Sequence, residues 1–126
     1  MKREIKFRAF STKSGMWTWE KLTQGHPLSC LYSHPDGSWN VMQFTGLKDK
    51  NGVEIYEGDV LRMENYHGEI FIDDVQFRDG AFQVEVRDAE YDLTVIGWLD
   101  ELDIKAEVIG NIYENAELLK TKAVTT

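Results

Sequence analysis

The segment VQFRDGAFQV, residues 75–84, constrains the fold more than any other part of the sequence. Its central Asp-Gly pair favours a two-residue turn, because both central residues of that turn need positive φ. Such a turn sets Phe77 opposite Phe82 and Val75 opposite Val84, so that apolar side chains meet on one face. The segment therefore predicts a β-hairpin.

The strand before this hairpin shifts its apolar pattern from even to odd positions near residue 73. Continuous pairing would place the Asp73 carboxylate on the core face, opposite Val86, where burying a charge is costly. We therefore predict a β-bulge at Asp73 and Asp74 that turns both carboxylates to water and brings Ile72 opposite Val86.

The remaining pattern is also mostly β. EIKFRAF alternates with period two, and MWTWEKL is interpreted as a strand with Trp17 and Trp19 on one face. A Pro-Asp-Gly turn precedes the predicted strand WNVMQF. Two further strands are predicted for LTVIGW and AEVIGNIY. The segment ENAELLK predicts a short helix with Asn115 as its N-cap. Five short strands between Val60 and Tyr113 are typical of a small barrel. We predict an N-terminal β region over residues 1–57 and a barrel domain over residues 58–126.

The loop LKDKNGVEIYEG has the acids and glycines of a calcium site. If Gly52 is the sixth residue of a calcium-binding EF-hand loop, Leu47 is the first and Gly58 the twelfth, and neither supplies a carboxylate. The loop is therefore interpreted as a hairpin turn of four or five residues. The residues predicted to form turns or the bulge are Asn51, Gly52, Gly58, Asp59, Asp73, Asp74, Asp79 and Gly80.

Charge is unevenly distributed along the 126 residues. Residues 1–50 carry eight Lys/Arg and four Asp/Glu, whereas residues 51–126 carry six Lys/Arg and 18 Asp/Glu, which gives a net charge of −8. This balance disfavours general duplex DNA binding, which depends on neutralising phosphates. The single cysteine, Cys30, excludes an internal disulfide and fits a reducing cytoplasm. No apolar run is long enough to predict a membrane span, and no signal peptide is evident.

The sequence contains two groups of residues that could bind a metal ion. His26, Cys30 and His34 are spaced by four, but Pro27 and Pro35 flank the segment, and an extended chain would place the three residues too far apart to share zinc. Asp73 and Asp74, with Glu85 or Asp88, could bind magnesium as hydrolases do, but a solvated bulge is the simpler interpretation. The sequence predicts no catalytic residue, metal or cofactor.

The N-terminal region offers a second kind of site. Its cationic side chains, next to two tryptophans, could contact nucleic acid or a partner protein, and the tryptophans could stack on bases. Aromatic side chains on one face of a strand are, however, more often core residues. The candidate contact residues are Lys2, Arg3, Lys6, Arg8, Lys13, Trp17 and Trp19.

The uneven charge also predicts a homo-oligomer. The basic strand of one copy would face acids of the next, and apolar burial would supply the affinity. The residues expected at this contact are Lys6, Arg8, Glu85, Asp88, Glu90, Asp92, Phe10, Trp17 and Trp19.

Three segments, KFRAF, MQFTGLKDKNGVEIYEGDVL and VIGNIYENAELL, occur in this order along the chain. Together they resemble the YopX family of phage and prophage proteins, although Ala116 stands where that family's pattern has proline. The resemblance implies a phage-derived, cytoplasmic protein with an SH3-like barrel in its C-terminal part, and it implies no activity. We therefore expect a non-catalytic module that binds a host or phage protein or assembles with itself; the alternatives are a nucleic-acid-associated protein and a magnesium-dependent hydrolase.

Overall fold

The computed structural model describes residues 4–24, 39–88 and 91–123, where antiparallel strands predominate. The strands are β1 Phe7–Ser11, β2 Gly15–Trp17, β3 Asn40–Lys48, β4 Glu54–Tyr56, β5 Asp59–Glu64, β6 Ile70–Asp74, β7 Gln76–Arg78, β8 Ala81–Asp88, β9 Tyr91–Val95 and β10 Lys105–Asn111. The helical segments are α1 Trp19–Thr23 and two 3₁₀ segments, Ile96–Trp98 and Ala116–Ala123. The prediction of a mainly β chain with an antiparallel N-terminal region and a short C-terminal helix is confirmed, and the sheets include a curled half-barrel.

The chain divides into two compact units, Met1–Phe44 and Thr45–Thr126. Strand β3 runs across this division, and β4, which the sequence analysis grouped with residues 1–57, belongs to the second unit. A boundary between folding domains at residues 57 and 58 stays a prediction, as does the SH3-like character of the barrel.

In the first unit, β1 lies between β2 and the first half of β3. Ala9 and Ser11 are fully buried, which gives β1 the expected alternation. The predicted strand through Trp17 and Trp19 is wrong, because β2 ends at Trp17 and Trp19 begins α1. The Thr18 hydroxyl accepts the N–H of Lys21 at 3.3 Å and so caps the helix.

The second unit contains two three-stranded sheets, with strand orders β10-β5-β6 and β7-β8-β9, and a hairpin of the end of β3 with β4. Its apolar core draws on every sheet of the unit. The buried core residues are Ile55, Leu61, Met63, Phe71, Val75, Val84, Ile96, Leu99, Ile104 and Ala106.

The hairpin of β7 and β8 has the predicted register. Phe77 lies opposite Phe82, and the turn residues Asp79 and Gly80 have φ of +52° and +80°. The two rings meet edge to face, with centroids 5.0 Å apart. Phe77 is nevertheless 51% exposed, so this pair lies at the surface and only Phe82 packs against the core.

The predicted bulge at Asp73 and Asp74 is wrong. Both residues pair continuously with β5, and Asp73 lies opposite Leu61 with 1% exposure. The strand breaks one residue later, at Val75, whose N–H donates to the carbonyl of Asp59 at 2.8 Å. Ile72 lies opposite Arg62 rather than Val86. The core face of β6 therefore consists of odd-numbered residues, with a buried carboxylate among them.

Other polar side chains are buried with Asp73 in the same sheet. Asp59 is 1% exposed, accepts the N–H of Tyr56 at 2.7 Å, and lies opposite Asn111 on β10. Asn111 in turn accepts two backbone N–H groups of the turn that follows it. Buried polar groups that keep hydrogen-bond partners avoid the desolvation cost that the sequence argument assumed.

The C-terminal 3₁₀ helix packs against β6 and closely covers β10. A Cβ at Gly110 would lie 2.6 Å from Oδ1 of Asn115 and 2.8 Å from Cδ1 of Leu118. Glycine is therefore required where the helix crosses the strand. The Asn115 side chain accepts the N–H of Asn111 at 3.2 Å, so it holds the strand end before the helix.

Candidate binding cleft

The loop between β3 and β4 is built around the Asp49 side chain. Oδ1 of Asp49 accepts the N–H groups of Asn51 at 2.8 Å and Val53 at 2.9 Å. The backbone N–H of Asp49 donates to the carbonyl of Val53, and Gly52 closes the turn with φ of +82°. Three residues thus separate Asp49 from Val53, fewer than the four or five expected, in the geometry of a turn followed by a left-handed bulge residue.

The turn between β5 and β6 repeats this arrangement with an amide in place of the carboxylate. Oδ1 of Asn65 accepts the N–H groups of His67 at 2.9 Å and Glu69 at 3.0 Å. Gly68 holds the bulge position with φ of +83°. A neutral amide oxygen is therefore sufficient to build the turn, and the charge of Asp49 needs another explanation.

The second carboxylate oxygen of Asp49 supplies that explanation. Oδ2 accepts the N–H of Val108 on β10 at 2.8 Å, and the N–H of Lys50 donates to the carbonyl of Ala106 at 3.0 Å. Burial raises the pKa of Asp49, but hydrogen bonds from Val108, Val53 and Asn51 and the nearby charge of Lys50 outweigh it, so the pKa lies below 3.8. The loop is thus fastened to β10 by an ionised carboxylate.

Beside this fastened loop lies a cleft of about 200 Å³. Its floor consists of core side chains that are each less than a tenth exposed: Ile55, Ile96, Leu99, Ile104 and Ala106. Leu47 forms part of the lining and is 37% exposed, and Gly97 leaves the lining open next to it. The cleft therefore gives direct access to the apolar core of the second unit.

The polar part of the lining is cationic in composition. Lys48, Lys50 and Lys105 line the cleft together with Asp49 and Asp100. The Asp49 carboxylate is occupied by its three backbone N–H groups, which leaves Asp100 as the exposed acid of the lining.

A large aromatic side chain lies next to the cleft in the chain. Trp98 is 58% exposed and stands between the lining residues Gly97 and Leu99. An exposed tryptophan beside an apolar cleft is a common feature of protein-binding surfaces.

The N-terminal candidates are arranged differently. Lys6 forms an ion pair with Glu4 at 2.6 Å, and its side chain is 14% exposed and lies over the ring of Phe44. Lys21 lies 4.5 Å from the ring centroid of Trp17, and Trp19 packs against Phe7. The structure therefore does not bring the two tryptophans together as one stacking surface.

The other N-terminal candidates give no contiguous site. Lys13 is exposed, Arg8 is half-buried, and Lys2 and Arg3 lie outside the described residues.

The proposed metal ligands are not assembled in the part of the chain that the structure describes. No group of three His, Cys, Asp or Glu side chains there could hold a metal ion. His26, Cys30 and His34 lie outside the described residues, as do the side chains of Glu85 and Asp88. Within the described helices, none is long and apolar enough to cross a membrane.

Sequence reasoning missed the cleft entirely. Its residues come from two segments, 47–55 and 96–106, which meet only after the sheets have formed. The sequence analysis counted Lys48 and Lys50 with the basic residues 1–50 and Lys105 with the acidic residues 51–126, so its charge sums did not group the three lysines.

A family model described as YopX protein matches residues 6–120. The chain belongs to the YopX family. It is 39% identical, over 72 residues, to the SPbeta prophage-derived uncharacterized protein YopX of Bacillus subtilis strain 168. That match covers 55% of this chain and 52% of the relative, so the chain spans about half the length of the curated YopX relative that it matches.

Two solved structures share the fold. The crystal structure of YopX from Bacillus subtilis aligns with a TM-score of 0.66 at 24% identity, over 90% of this chain and 96% of that one. The crystal structure of protein EF1440 from Enterococcus faecalis aligns with a TM-score of 0.62 at 28% identity, over 94% of this chain and 99% of that one. The resemblance to the YopX family predicted from the three segments is confirmed.

Proposed function

We propose that this YopX-family chain is a non-catalytic protein-binding module of prophage origin, acting in the bacterial cytoplasm. The observation that carries the proposal is the cleft, whose floor of buried core side chains is open beside the exposed Trp98. A small apolar recess beside an exposed tryptophan is the arrangement that anchors single side chains of a partner at protein interfaces.

The size of the cleft favours a protein segment over a small-molecule substrate. Sites for drug-sized ligands enclose about 300–1,000 Å³, whereas this cleft measures about 200 Å³. Its volume suits one or two anchoring side chains of a partner, with Trp98 available to cover the backbone of the bound segment. The prophage origin of the Bacillus subtilis relative supports a phage or host protein as the partner.

Position 97 allows a direct test. A Cβ at Gly97 would meet only Cδ1 of Leu47, at an ordinary contact distance of 4.0 Å, so the backbone there accepts a residue with a Cβ. Gly97→Leu should fill the cleft, whereas Gly97→Ala should leave most of it open and serves as the control. Urea unfolding should show that both variants keep the stability of the parent chain.

The assay is a selection of random linear peptides displayed on phage against the parent chain. We expect enriched peptides to share an apolar anchor, to bind Gly97→Ala, and to lose binding to Gly97→Leu. If no peptide is enriched, or if all enriched peptides bind Gly97→Leu equally well, the cleft is not a protein-binding site and the proposal fails.

A further inference from the structure

The cationic rim of the cleft contrasts with its surroundings. The unit from residue 45 to residue 126 carries eight Lys/Arg and 19 Asp/Glu, a formal charge of −11. Three of those eight cations, Lys48, Lys50 and Lys105, line one cleft of about 200 Å³. A rim of this charge on so acidic a unit needs a reason beyond solubility, since acids alone would keep the chain soluble.

The acids nearest to these lysines are only partly available to neutralise them. In the lining itself, Asp49 directs both oxygens at backbone N–H groups and Asp100 is the one exposed acid beside three lysines. Lys50 pairs with Glu107 at 3.5 Å. Glu64 lies opposite Lys105 in the β5–β10 ladder, but its carboxylate is 3.9 Å from Arg62. Among the described residues, neither Lys48 nor Lys105 forms an ion pair.

We infer that the cleft binds an acidic peptide segment, in which carboxylates flank the apolar residue that enters the floor. The inference rests on the proposed function and adds the chemistry of the partner. Carboxylates on either side of the anchor would reach Lys48 and Lys105, while the anchor contacts Ile96 and Ile104. Complementary charge of this kind sets orientation and partner choice more than affinity.

The acidic unit also works against other partners. A nucleic acid strand has no apolar side chain to fill the floor and carries a charge at every nucleotide, whereas an acidic segment can confine its charge to the two sides of its anchor. A basic or neutral peptide could fill the floor but would leave the rim unpaired. An acidic segment with a single apolar anchor matches both parts of the cleft.

The test uses the same peptide selection, with the rim changed instead of the floor. Lys48→Gln combined with Lys105→Gln removes the two lysines that are not in ion pairs and leaves the floor intact. The control is Arg78→Gln, an exposed cation of the same unit on β7, outside the lining of the cleft.

We expect the peptides that depend on the cleft to be enriched in Asp and Glu on both sides of the anchor. Synthetic copies should bind the double variant about tenfold more weakly, about threefold for each exposed pair lost. They should bind Arg78→Gln with unchanged affinity, and raising the salt concentration should weaken binding to the parent chain.

Three results would overturn the inference. Neutral or basic peptides that are lost in Gly97→Leu would refute the acidic partner while leaving the proposed function standing. Acidic peptides that bind the double variant as well as the parent would place the recognition elsewhere. Displacement of the peptides by a single-stranded oligothymidylate would identify nucleic acid as the rim's ligand.

Discussion

The replacement Asp49→Asn isolates the bond that fastens the β3–β4 loop to β10. The amide oxygen can keep the N–H groups of Asn51 and Val53, as the Asn65 amide does in the equivalent turn. The amide nitrogen would then face the N–H of Val108, so that two donors meet where a carboxylate oxygen accepts at 2.8 Å.

The expected cost is about 2 kcal/mol of unfolding free energy, because one hydrogen bond to a charged group contributes about 1.5–3 kcal/mol. Asp49→Ala, which removes all three acceptor contacts, should cost about 6 kcal/mol on the same basis. The comparison is Asn65→Asp, which replaces the amide that donates to Glu69 at 3.3 Å by a second carboxylate, so it should destabilise the chain by about 1 kcal/mol.

The assay is urea unfolding combined with hydrogen exchange at the Val108 amide. In Asp49→Asn the exchange at Val108 should accelerate more than the exchange at amides of the β7–β8 hairpin, which lies on another sheet. The interpretation of Asp49 is refuted if Asp49→Asn unfolds within about 0.5 kcal/mol of the parent chain, or if Val108 keeps its full protection.

The same pair of proteins gives a pH test. The folded-state pKa of Asp49 lies below its ordinary value of 3.8, so its stabilising effect is complete above about pH 5. That effect is lost as pH falls through 3.8 toward the folded-state pKa. The asparagine does not titrate, so the stability difference between parent and variant should narrow below about pH 4. A difference that stays constant from pH 6 to pH 3 would contradict the lowered pKa.

Three further outcomes follow from the packing and the charge. Gly110→Ala should lower the unfolding free energy by about 1–3 kcal/mol and speed proteolysis of the C-terminal helix, because the alanine methyl would meet Asn115 and Leu118. An unchanged cleavage rate would contradict this close packing. Phe71→Ala should cost about 3–5 kcal/mol but Phe77→Ala only about 1 kcal/mol in urea unfolding, and equal costs would contradict the burial of Phe71 and the exposure of Phe77. We also expect light scattering to detect a self-associated species, as the uneven charge predicts; a monomer at low salt and micromolar concentration would refute it.

Local turn chemistry made parts of the fold predictable. The Asp-Gly pair at residues 79 and 80 determined the register of its hairpin, because few residue types adopt positive φ at both positions. Near Trp19 the local sequence indicated the start of a helix, but the alternation of Trp17 and Trp19 favoured a strand. Thr18 followed by Glu20 in the first turn is typical of a helix start, and the structure begins α1 there.

Burial of charge was the less predictable part. The argument at Asp73 assumed that a carboxylate avoids the core face, whereas the buried Asp59 and Asn111 make that end of the sheet polar. Pairing of distant strands decides where such polar groups gather, and one strand's pattern does not contain that information. The cleft could not be predicted from the sequence for the same reason, because its two lining segments are about fifty residues apart in the chain.

The Asp49 loop links stability to binding, because the bonds that fasten the loop also position the rim of the cleft. The N–H of Lys50 donates to the carbonyl of Ala106, a floor residue, while the carboxylate of Asp49 holds Val108 two residues further along β10. Lys48 and Lys50 flank Asp49, so a loop released from β10 would carry both lysines away from the floor. A rim fixed in advance loses less conformational entropy on binding. Asp49→Asn should therefore weaken peptide binding, although the lysines and the floor of the cleft are unchanged. If the Asp49 carboxylate served only the turn, the same replacement would leave peptide binding unchanged.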